Sequence, residues 1–195
     1  MSINNDLLLK AARKYHSLSG SKLVITLGKK GTLSEIVVGF QTANFYHLAG
    51  LHKLKDIQAV KGHNTSSVLN RILKGKITNA MIKKSSFYNE MKERLEILSE
   101  FPEILNSNEI VWKFNKVRAS SWSKIHWNYL IDYGIGDNET YVFLKTKGDD
   151  SHCFCISAFR KKADYTKMQI RMTVLRVALI NQAGEINTIY QRKGL

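Results

Sequence analysis

Apolar residues recur at helical spacing in the first half of the chain. Between Asp6 and Leu18 they occupy one helical face, at Leu7, Leu8, Ala11, Ala12, Tyr15 and Leu18, and Gly20 follows as a stop signal. The same spacing predicts helices at Val68–Lys74, after an N-cap at Asn64 or Thr65, and at Phe87–Ser99. A helix is also predicted over Phe45–Leu54, where an apolar residue recurs every three positions.

The remaining pattern is typical of β-strands. Leu23–Leu27 and Thr32–Phe40 flank Gly28-Lys29-Lys30-Gly31, which predicts a hairpin. From Glu109 onward, runs rich in β-branched and aromatic residues, with turn sequences between several of them, predict strands at Ile110–Phe114, Ile125–Ile131, Tyr141–Thr146, Cys153–Phe159, Met172–Ile180 and Ile186–Tyr190.

This order of elements indicates an α+β fold. N-terminal helices and a hairpin come first, then a helical insertion, then a mainly antiparallel sheet without βαβ alternation. The chain has 195 residues, of which 44% are hydrophobic, which suits one domain with a substantial core. We therefore expect a single domain over residues 1–195, with the helical insertion at about 60–105, ended by Pro102.

The charge balance indicates an anionic partner. The formal net charge is +14, and residues 1–110 and 111–195 contribute +7 each. A basic surface of this extent is typical of nucleic-acid binding, although a lysine-rich solvated surface is the alternative. If about five phosphates of single-stranded RNA are bound, log K falls against log salt with a slope of about −3 to −4.

The sequence contains no sign of export or membrane insertion. Met1–Lys10 has no apolar leader segment, and no apolar run approaches the ~18 residues of a membrane span. Cys153 and Cys155 are too close along a strand for a normal disulfide. These features predict a cytoplasmic protein with reduced thiols and no membrane partner.

Two segments hold candidate histidines. In Asn44–Leu54, His47 and Lys53 stand among apolar residues, which suits a site that handles protons and phosphate. His52 would lie about 140° from His47 around one helix, so the two would not share a metal. His126 is a rival to His47, on a polar strand face with Lys124 and Asn128. The alternative for any single histidine is an ordinary surface or core role.

A polar strand face is predicted near the C-terminus. Period-2 geometry places Gln169, Arg171 and Thr173 on one side of a strand, with Ile170, Met172 and Val174 on the other. In the run before it, cations at Arg160, Lys161 and Lys167 suit phosphates, and Tyr165 suits stacking on a base. An exposed basic loop beside an edge strand is the alternative.

Metal and cofactor chemistry has little support in the sequence. His152, Cys153 and Cys155 offer three ligands, but adjacent strand residues point to opposite faces and no second CxxC or HxxxH completes a site. Carboxylates are sparse in the β half, which argues against a Mg²⁺-dependent nuclease. We expect no metal and no cofactor.

Two sequence blocks resemble a known family. They are Gly39-Phe40-Gln41-Thr42-Ala43-Asn44-Phe45-Tyr46-His47-Leu48-Ala49-Gly50-Leu51, and Cys155–Arg160 with Asp164–Gln169 and Thr173–Leu175. Both resemble phage-associated nucleases of the Barnase–EndoU–colicin–RelE (BECR) superfamily. The resemblance implies helices followed by an antiparallel sheet, and metal-free RNA cleavage by His, Lys/Arg and hydroxyl side chains. His47 falls in the histidine motif, and Tyr165, Gln169 and Thr173 fall in the C-terminal motif. Ile170 departs from the polar residue expected after the Gln.

The resemblance implies a metal-independent endoribonuclease, as a toxin or a phage or mobile-element nuclease, that uses the 2′-OH for transphosphorylation. His47 would act as base or acid, Arg171 and Lys53 would stabilise the phosphate, and Gln169 and Thr173 would donate to it. Tyr165 would orient the substrate or act as the acid, and all would face one concave surface. Substrate-binding candidates are Lys53, Arg160, Lys161, Lys167 and His126. The partners would be RNA and an inhibitor or host protein complex. The alternative is a non-catalytic basic protein that binds nucleic acid or inhibits host defence.

Overall fold

The protein forms two compact units. The structure, a computed structural model, describes residues 6–61, 63–106, 110–117, 125–134, 139–149 and 151–193. A helical unit comprises the described parts of Met1–Ser19 and Phe40–Pro102, and a sheet unit those of Gly20–Gly39 and Glu103–Leu195. The α+β class is confirmed. The single domain with an insertion at about 60–105 stays a prediction.

Several helices begin at side-chain caps that the sequence provides. Asp6 accepts the backbone N–H of Leu9 at 2.8 Å, and Asn64, one of the two predicted caps, accepts that of Ser66 at 3.1 Å. Pro102 lies in the first turn of the last helix, where a proline loses no intrahelical hydrogen bond. The helices are α1 (Leu7–Leu18), α2 (Thr42–Leu48), α3 (Thr65–Leu73), α4 (Asn79–Ile82), α5 (Tyr88–Leu98) and α6 (Phe101–Asn106).

Tyr15 lies at the centre of the helical unit. Its ring is fully buried, with ring centroids 5.5 Å from Phe45, 6.2 Å from Phe101 and 6.3 Å from Phe40. Its hydroxyl donates to the carbonyl oxygen of Gln41 at 2.9 Å, so no polar atom of the ring is left unpaired in the core.

The helix predicted up to Leu54 ends early. α2 stops at Leu48, Gly50 adopts a left-handed conformation at φ 73°, and a 3₁₀ turn follows at Leu51–Lys53. A Cβ at Gly50 would lie 3.0 Å from Cδ of Arg94 on α5. Glycine is required here both for the positive φ and for the close approach of α5.

The described residues of the sheet unit form eight strands. These are β1 (Lys22–Lys29), β2 (Thr32–Gly39), β3 (Ile110–Lys113), β4 (Tyr129–Tyr133), β5 (Thr140–Thr146), β6 (His152–Arg160), β7 (Ile170–Ile180) and β8 (Ile186–Gln191). Their order is β1-β2-β6-β5-β4-β3-β7-β8, and β1 also pairs with β7, so the sheet closes on itself. All pairings are antiparallel except β2 with β6, which confirms the mainly antiparallel sheet.

One face of the closed sheet is continuously apolar. Cα pairing places the buried residues of β1 beside those of β2 and β7: Leu23, Ile25, Leu27, Ile36, Val38, Val174 and Val177. The pairing of β1 with β7 shifts register around Leu175, which adds one residue to β7. This bulge exposes Arg176 and buries Val177, so the alternation predicted over residues 169–174 does not continue to Arg176.

The opposite face carries an aromatic cluster. Its buried members are Trp127, Leu130, Tyr141 and Phe143, and Tyr165 packs against it from the loop before β7. Cys153 and Cys155 are free and buried, and burial together with the neighbouring Cys153 raises the pKa of the Cys155 thiol. None of the described helices is both long and apolar enough to cross a membrane. The cytoplasmic location stays a prediction.

We predict that Gly50→Ala destabilises the protein more than Gly75→Ala. Both glycines have positive φ, so both substitutions cost about 1–2 kcal/mol of backbone strain. Only at Gly50 would the new Cβ also meet Met91 and Arg94, whereas nothing lies within 4 Å at Gly75. Urea unfolding should give a loss for Gly50→Ala that is larger by at least about 1 kcal/mol. Equal losses would show that the contact with α5 is loose.

Candidate functional site

A basic cleft lies in the sheet unit, between the tip of the β1–β2 hairpin and the beginning of β7. It encloses about 560 Å³. Its charged and hydroxyl-bearing lining residues are Lys29, Lys30, Arg171, Arg192, Thr32 and Thr173. No acidic side chain is among the described residues that line this basic cleft.

The backbone explains where the basic cleft forms. Gly28 and Thr173 form the last residue pair between β1 and β7. A Cβ at Gly28 would lie only 2.9 Å from Leu175, which lines the cleft, so glycine leaves this surface open. The backbone N–H of Arg192 donates to the carbonyl oxygen of Leu175 at 2.8 Å, which fixes Arg192 at the cleft just after β8.

The cleft is strongly electropositive. Lys29, Lys30, Arg171 and Arg192 are exposed, and none forms an ion pair with another residue in the described part of the chain. Four uncompensated cations around one concavity concentrate anions there. The two guanidinium groups match the geometry of a phosphate with paired hydrogen bonds, and the threonine hydroxyls can donate as well.

The polar strand face is only partly directed at this cleft. Arg171 and Thr173 line it. Gln169 precedes β7, and its Oε1 accepts the backbone N–H of Asn115 at 2.8 Å while its Nε2 donates to the carbonyl oxygen of Lys167 at 3.3 Å. The Gln169 amide therefore holds the loop before β7. Lys167 is exposed in that loop and does not line the cleft.

Tyr165 and Arg160 are occupied by packing and hydrogen bonding. The ring centroid of Tyr165 lies 5.1 Å from that of Phe143 and 5.6 Å from that of Tyr141. The Arg160 Nη1 atom donates to Oγ1 of Thr140, which is buried, at 3.1 Å. Both side chains thus anchor the start and middle of the 160–169 segment to the sheet.

Lys161 belongs to a charged cluster away from the basic cleft. Its Nζ lies 3.3 Å from Oε2 of Glu139, 4.0 Å from Oδ1 of Asp132 and 5.4 Å from the centre of the Tyr141 ring. Burial raises the pKa of Asp132, and burial together with Asp132 raises the pKa of Tyr141 to about 12. Because carboxylates surround Lys161, it is a weaker phosphate ligand than the lysines of the hairpin.

The strand predicted to carry His126 begins later. β4 starts at Tyr129, so His126 is exposed outside the strand. The prediction that His126 shares a polar strand face with Lys124 and Asn128 is therefore wrong. Trp127 instead turns into the aromatic cluster, and Oδ1 of Asn128 accepts the backbone N–H of Thr146 at 3.0 Å. Lys124 lies outside the described residues.

A histidine cluster lies in the helical unit. It consists of Tyr46, His47, His52 and Lys53. The ring centroids of the two histidines are 5.3 Å apart, and that of Tyr46 is 5.3 Å from His47 and 6.4 Å from His52. The expectation that the histidines point about 140° apart on one helix is wrong, because α2 ends at Leu48 and Gly50 turns the chain back.

The electrostatics of the cluster favour a neutral His52. Burial lowers the pKa of His52, and the positive charges of His47, Arg94 and Lys53 lower it further. A neutral imidazole at neutral pH can accept a proton. The Lys53 Nζ lies 3.2 Å from Oε2 of Glu90 at an exposed position, where such a pair contributes little to stability.

Several residues of the basic cleft and of the histidine cluster were not predicted as site residues from the sequence. Lys29 and Lys30 stand between two glycines, a pattern that indicates exposed turn residues, but no role was assigned to them. Arg192 had no local signal, because only the sheet topology brings it beside β7. For His52 the sequence did contain a signal, because Gly50, a helix-ending residue, lies between the two histidines.

His152, Cys153 and Cys155 were weighed as metal ligands in the sequence and set aside. His152 Nδ1 lies 3.0 Å from Oδ2 of Asp149, and both cysteines are buried. Within the described ranges, no group of three or more His, Cys, Asp or Glu side chains is placed to hold a metal ion.

Comparison with known proteins identifies the class. A family model described as phage-Barnase-EndoU-ColicinE5/D-RelE like nuclease 4 (PBECR4) matches residues 7–194, nearly the whole chain. The protein is a nuclease of the BECR superfamily. It belongs to the PBECR4 family, and its substrate is therefore a nucleic acid. No curated protein and no solved structure matches the chain.

We predict that Arg171→Gln weakens nucleic-acid binding and that Arg176→Gln does not. Arg171 lines the basic cleft, whereas Arg176, exposed on the same strand, donates to Oγ1 of Thr188 and is absent from the cleft lining. Loss of one phosphate contact should reduce the steepness of log K against log salt by about 0.7 for a single strand. Fluorescence anisotropy at several salt concentrations measures this. An equal effect of both substitutions would indicate non-specific surface attraction.

We also predict that Lys53→Met raises the pKa of His52. Lys53 repels the protonated imidazole, so its removal favours the charged form. NMR titration of the histidine ring protons would report the shift, and Lys55→Met, at an exposed position nearby, is the matched control. A His52 titration unchanged in Lys53→Met would mean that burial, His47 and Arg94 lower its pKa without a contribution from Lys53.

Proposed function

We propose that the protein is a metal-independent endoribonuclease that cuts RNA by attack of a ribose 2′-OH on the adjacent phosphate. The observation that carries the proposal is the basic cleft, where Arg171 and Arg192 stand with Thr173 and no described carboxylate. A Mg²⁺-dependent nuclease needs acidic ligands for the metal, whereas cations and hydroxyls can stabilise the phosphate directly. Membership of a nuclease family supports the cleavage but leaves the nucleic acid and the mechanism to this proposal.

The proposed reaction assigns one task to each group. A base removes the 2′-OH proton, the oxygen attacks phosphorus, and an acid protonates the leaving 5′-oxygen. We retain His47, the histidine of the first sequence motif, as the candidate for the base or the acid. Arg171 and Arg192 stabilise the extra negative charge of the phosphorane, and Thr173 donates a hydrogen bond to it. The products are a 2′,3′-cyclic phosphate and a 5′-hydroxyl.

The other sequence-predicted residues take supporting tasks in this proposal. Gln169 and Tyr165 position the loop before β7. The Gln169 amide bonds to the backbone of Asn115, and the Tyr165 ring packs against Phe143. Arg160 and Lys167 add positive charge that attracts RNA at longer range, whereas Lys53 and Lys161, each paired with a carboxylate, add less. The exposed His126 is a further candidate contact. An inhibitor or host protein complex would block the basic cleft with acidic side chains.

The products of RNA digestion test the proposal. Mixed RNA and single-stranded DNA of matched length are incubated with the protein in EDTA, and the ends are analysed by mass spectrometry. We expect RNA fragments that end in 2′,3′-cyclic phosphate, and intact DNA. Cleavage of DNA, or loss of activity in EDTA, would contradict the mechanism. RNA that is bound but uncut would favour the alternative, a non-catalytic nucleic-acid-binding or host-defence-inhibiting protein, for which the same cleft is suited.

We predict that His47→Ala slows cleavage by about 10²–10⁴-fold, the contribution of a general acid or base. His47 is exposed, so the melting temperature and the RNA affinity should change little. His16→Ala, at an exposed position of α1, is the matched control, and His126→Ala tests the rival histidine. Normal turnover in His47→Ala with slow turnover in His126→Ala would move the acid–base role to His126.

A further inference from the structure

A second cleft opens beside the basic cleft. It encloses about 460 Å³ and is lined by Ser34, Lys113, Ile170 and Met172 together with Lys29, Lys30 and Thr32, which also line the basic cleft. We call it the side cleft. The shared hairpin residues make the two clefts neighbours within the sheet unit.

The pairing of β7 explains why there are two clefts. Residues Ile170–Met172 pair with β3 on one edge, but β1 pairs with β7 only from Thr173 onward. The tip of the β1–β2 hairpin therefore lies beside an edge of β7 that has no strand partner in the described part of the chain. Strand alternation puts Arg171 in the basic cleft on one face, and Ile170 and Met172 in the side cleft on the other.

The lining of the side cleft suits a flat heteroaromatic ring. Ile170 and Met172 offer an apolar surface, while Ser34, Thr32 and Lys113 offer polar groups around it. The Lys113 Nζ lies 5.6 Å from the centre of the Tyr129 ring, which restrains its position. An apolar cleft with a few polar groups is typical of small-molecule sites, and a nucleobase has apolar faces and hydrogen-bonding edges.

We propose that the side cleft binds the nucleobase of the nucleotide next to the phosphate held in the basic cleft. The backbone of the substrate would cross the unpartnered edge of β7 between the two clefts, with Lys29 and Lys30 beside it. A base in this position is unstacked, so the preferred substrate is a single strand or a loop. This inference rests on the proposed function only in taking RNA as the ligand.

A scan with abasic nucleotides tests the proposal. The probe is a short single-stranded RNA in which every ribose is 2′-O-methylated, so attack by a 2′-OH is impossible, and one base at a time is removed. Anisotropy should show one position at which the missing base weakens binding by about tenfold, the effect of losing one bound base.

A pair of variants locates the sensitive base. Ser34→Trp fills the side cleft from an exposed position, and Ser17→Trp makes the same exchange at an exposed position of α1. We expect Ser34→Trp to bind the intact probe about tenfold more weakly and to lose its sensitivity to the abasic position. Ser17→Trp should behave like the unmodified protein. A Ser34→Trp variant that keeps the abasic sensitivity would overturn the proposal.

The outcomes separate this inference from the proposed function. Binding that is equally strong at every abasic position overturns the side-cleft proposal, even if the protein cuts unmodified RNA. Sensitivity at one position without cleavage of unmodified RNA supports the side cleft and overturns only the catalytic proposal. No binding to the single-stranded probe overturns both.

Discussion

The double pairing of β1 is the interaction on which the sheet unit depends. Its edges bond to β2 and to β7, and its buried residues Leu23, Ile25 and Leu27 join the apolar faces of both neighbours. This closure leaves no open edge along most of β1, and it brings the tip of the hairpin to the first residues of β7. The basic cleft exists because these two segments are adjacent.

Charge repulsion in the basic cleft lowers the free energy of unfolding, and the packing of the closed sheet has to offset this loss. Lys29, Lys30, Arg171 and Arg192 repel one another, and no acidic residue of the described lining reduces that repulsion. Exposure to water and salt keeps the cost moderate. Lys161, which pairs with Glu139, shows the arrangement expected of a lysine with a structural role. The unpaired cations at the hairpin are instead poised for an anion, and the substrate of a nuclease provides one.

Short-range periodicity was sufficient to predict most of the fold. Of the elements in the described part of the chain, seven of the eight strands and the three longest helices appear where alternating or helical spacing predicts them, because burial on one face imposes that spacing on the sequence. The errors arose where one residue breaks a pattern. Gly50 turns the chain after α2, and Trp127 lies before the start of β4 and enters the aromatic cluster.

The candidate site was less predictable, because it is assembled by tertiary contacts. Arg171 and Thr173 followed from alternation along β7, but Arg192 reaches the cleft only through the pairing of β8 with β7. The hydrogen bond of the Gln169 amide could not be predicted either, because its partner, the backbone of Asn115, is far away in the sequence. The pairing of His47 with His52 required the turn at Gly50, which periodicity alone does not reveal.

A crystal structure of the protein with a 2′-O-methylated RNA oligonucleotide would test the central claim most directly. We expect a phosphate in the basic cleft, within hydrogen-bonding distance of the guanidinium groups of Arg171 and Arg192 and of the Thr173 hydroxyl. An oligonucleotide bound elsewhere, with no phosphate at Arg171, would contradict the assignment of the basic cleft as the site of cleavage.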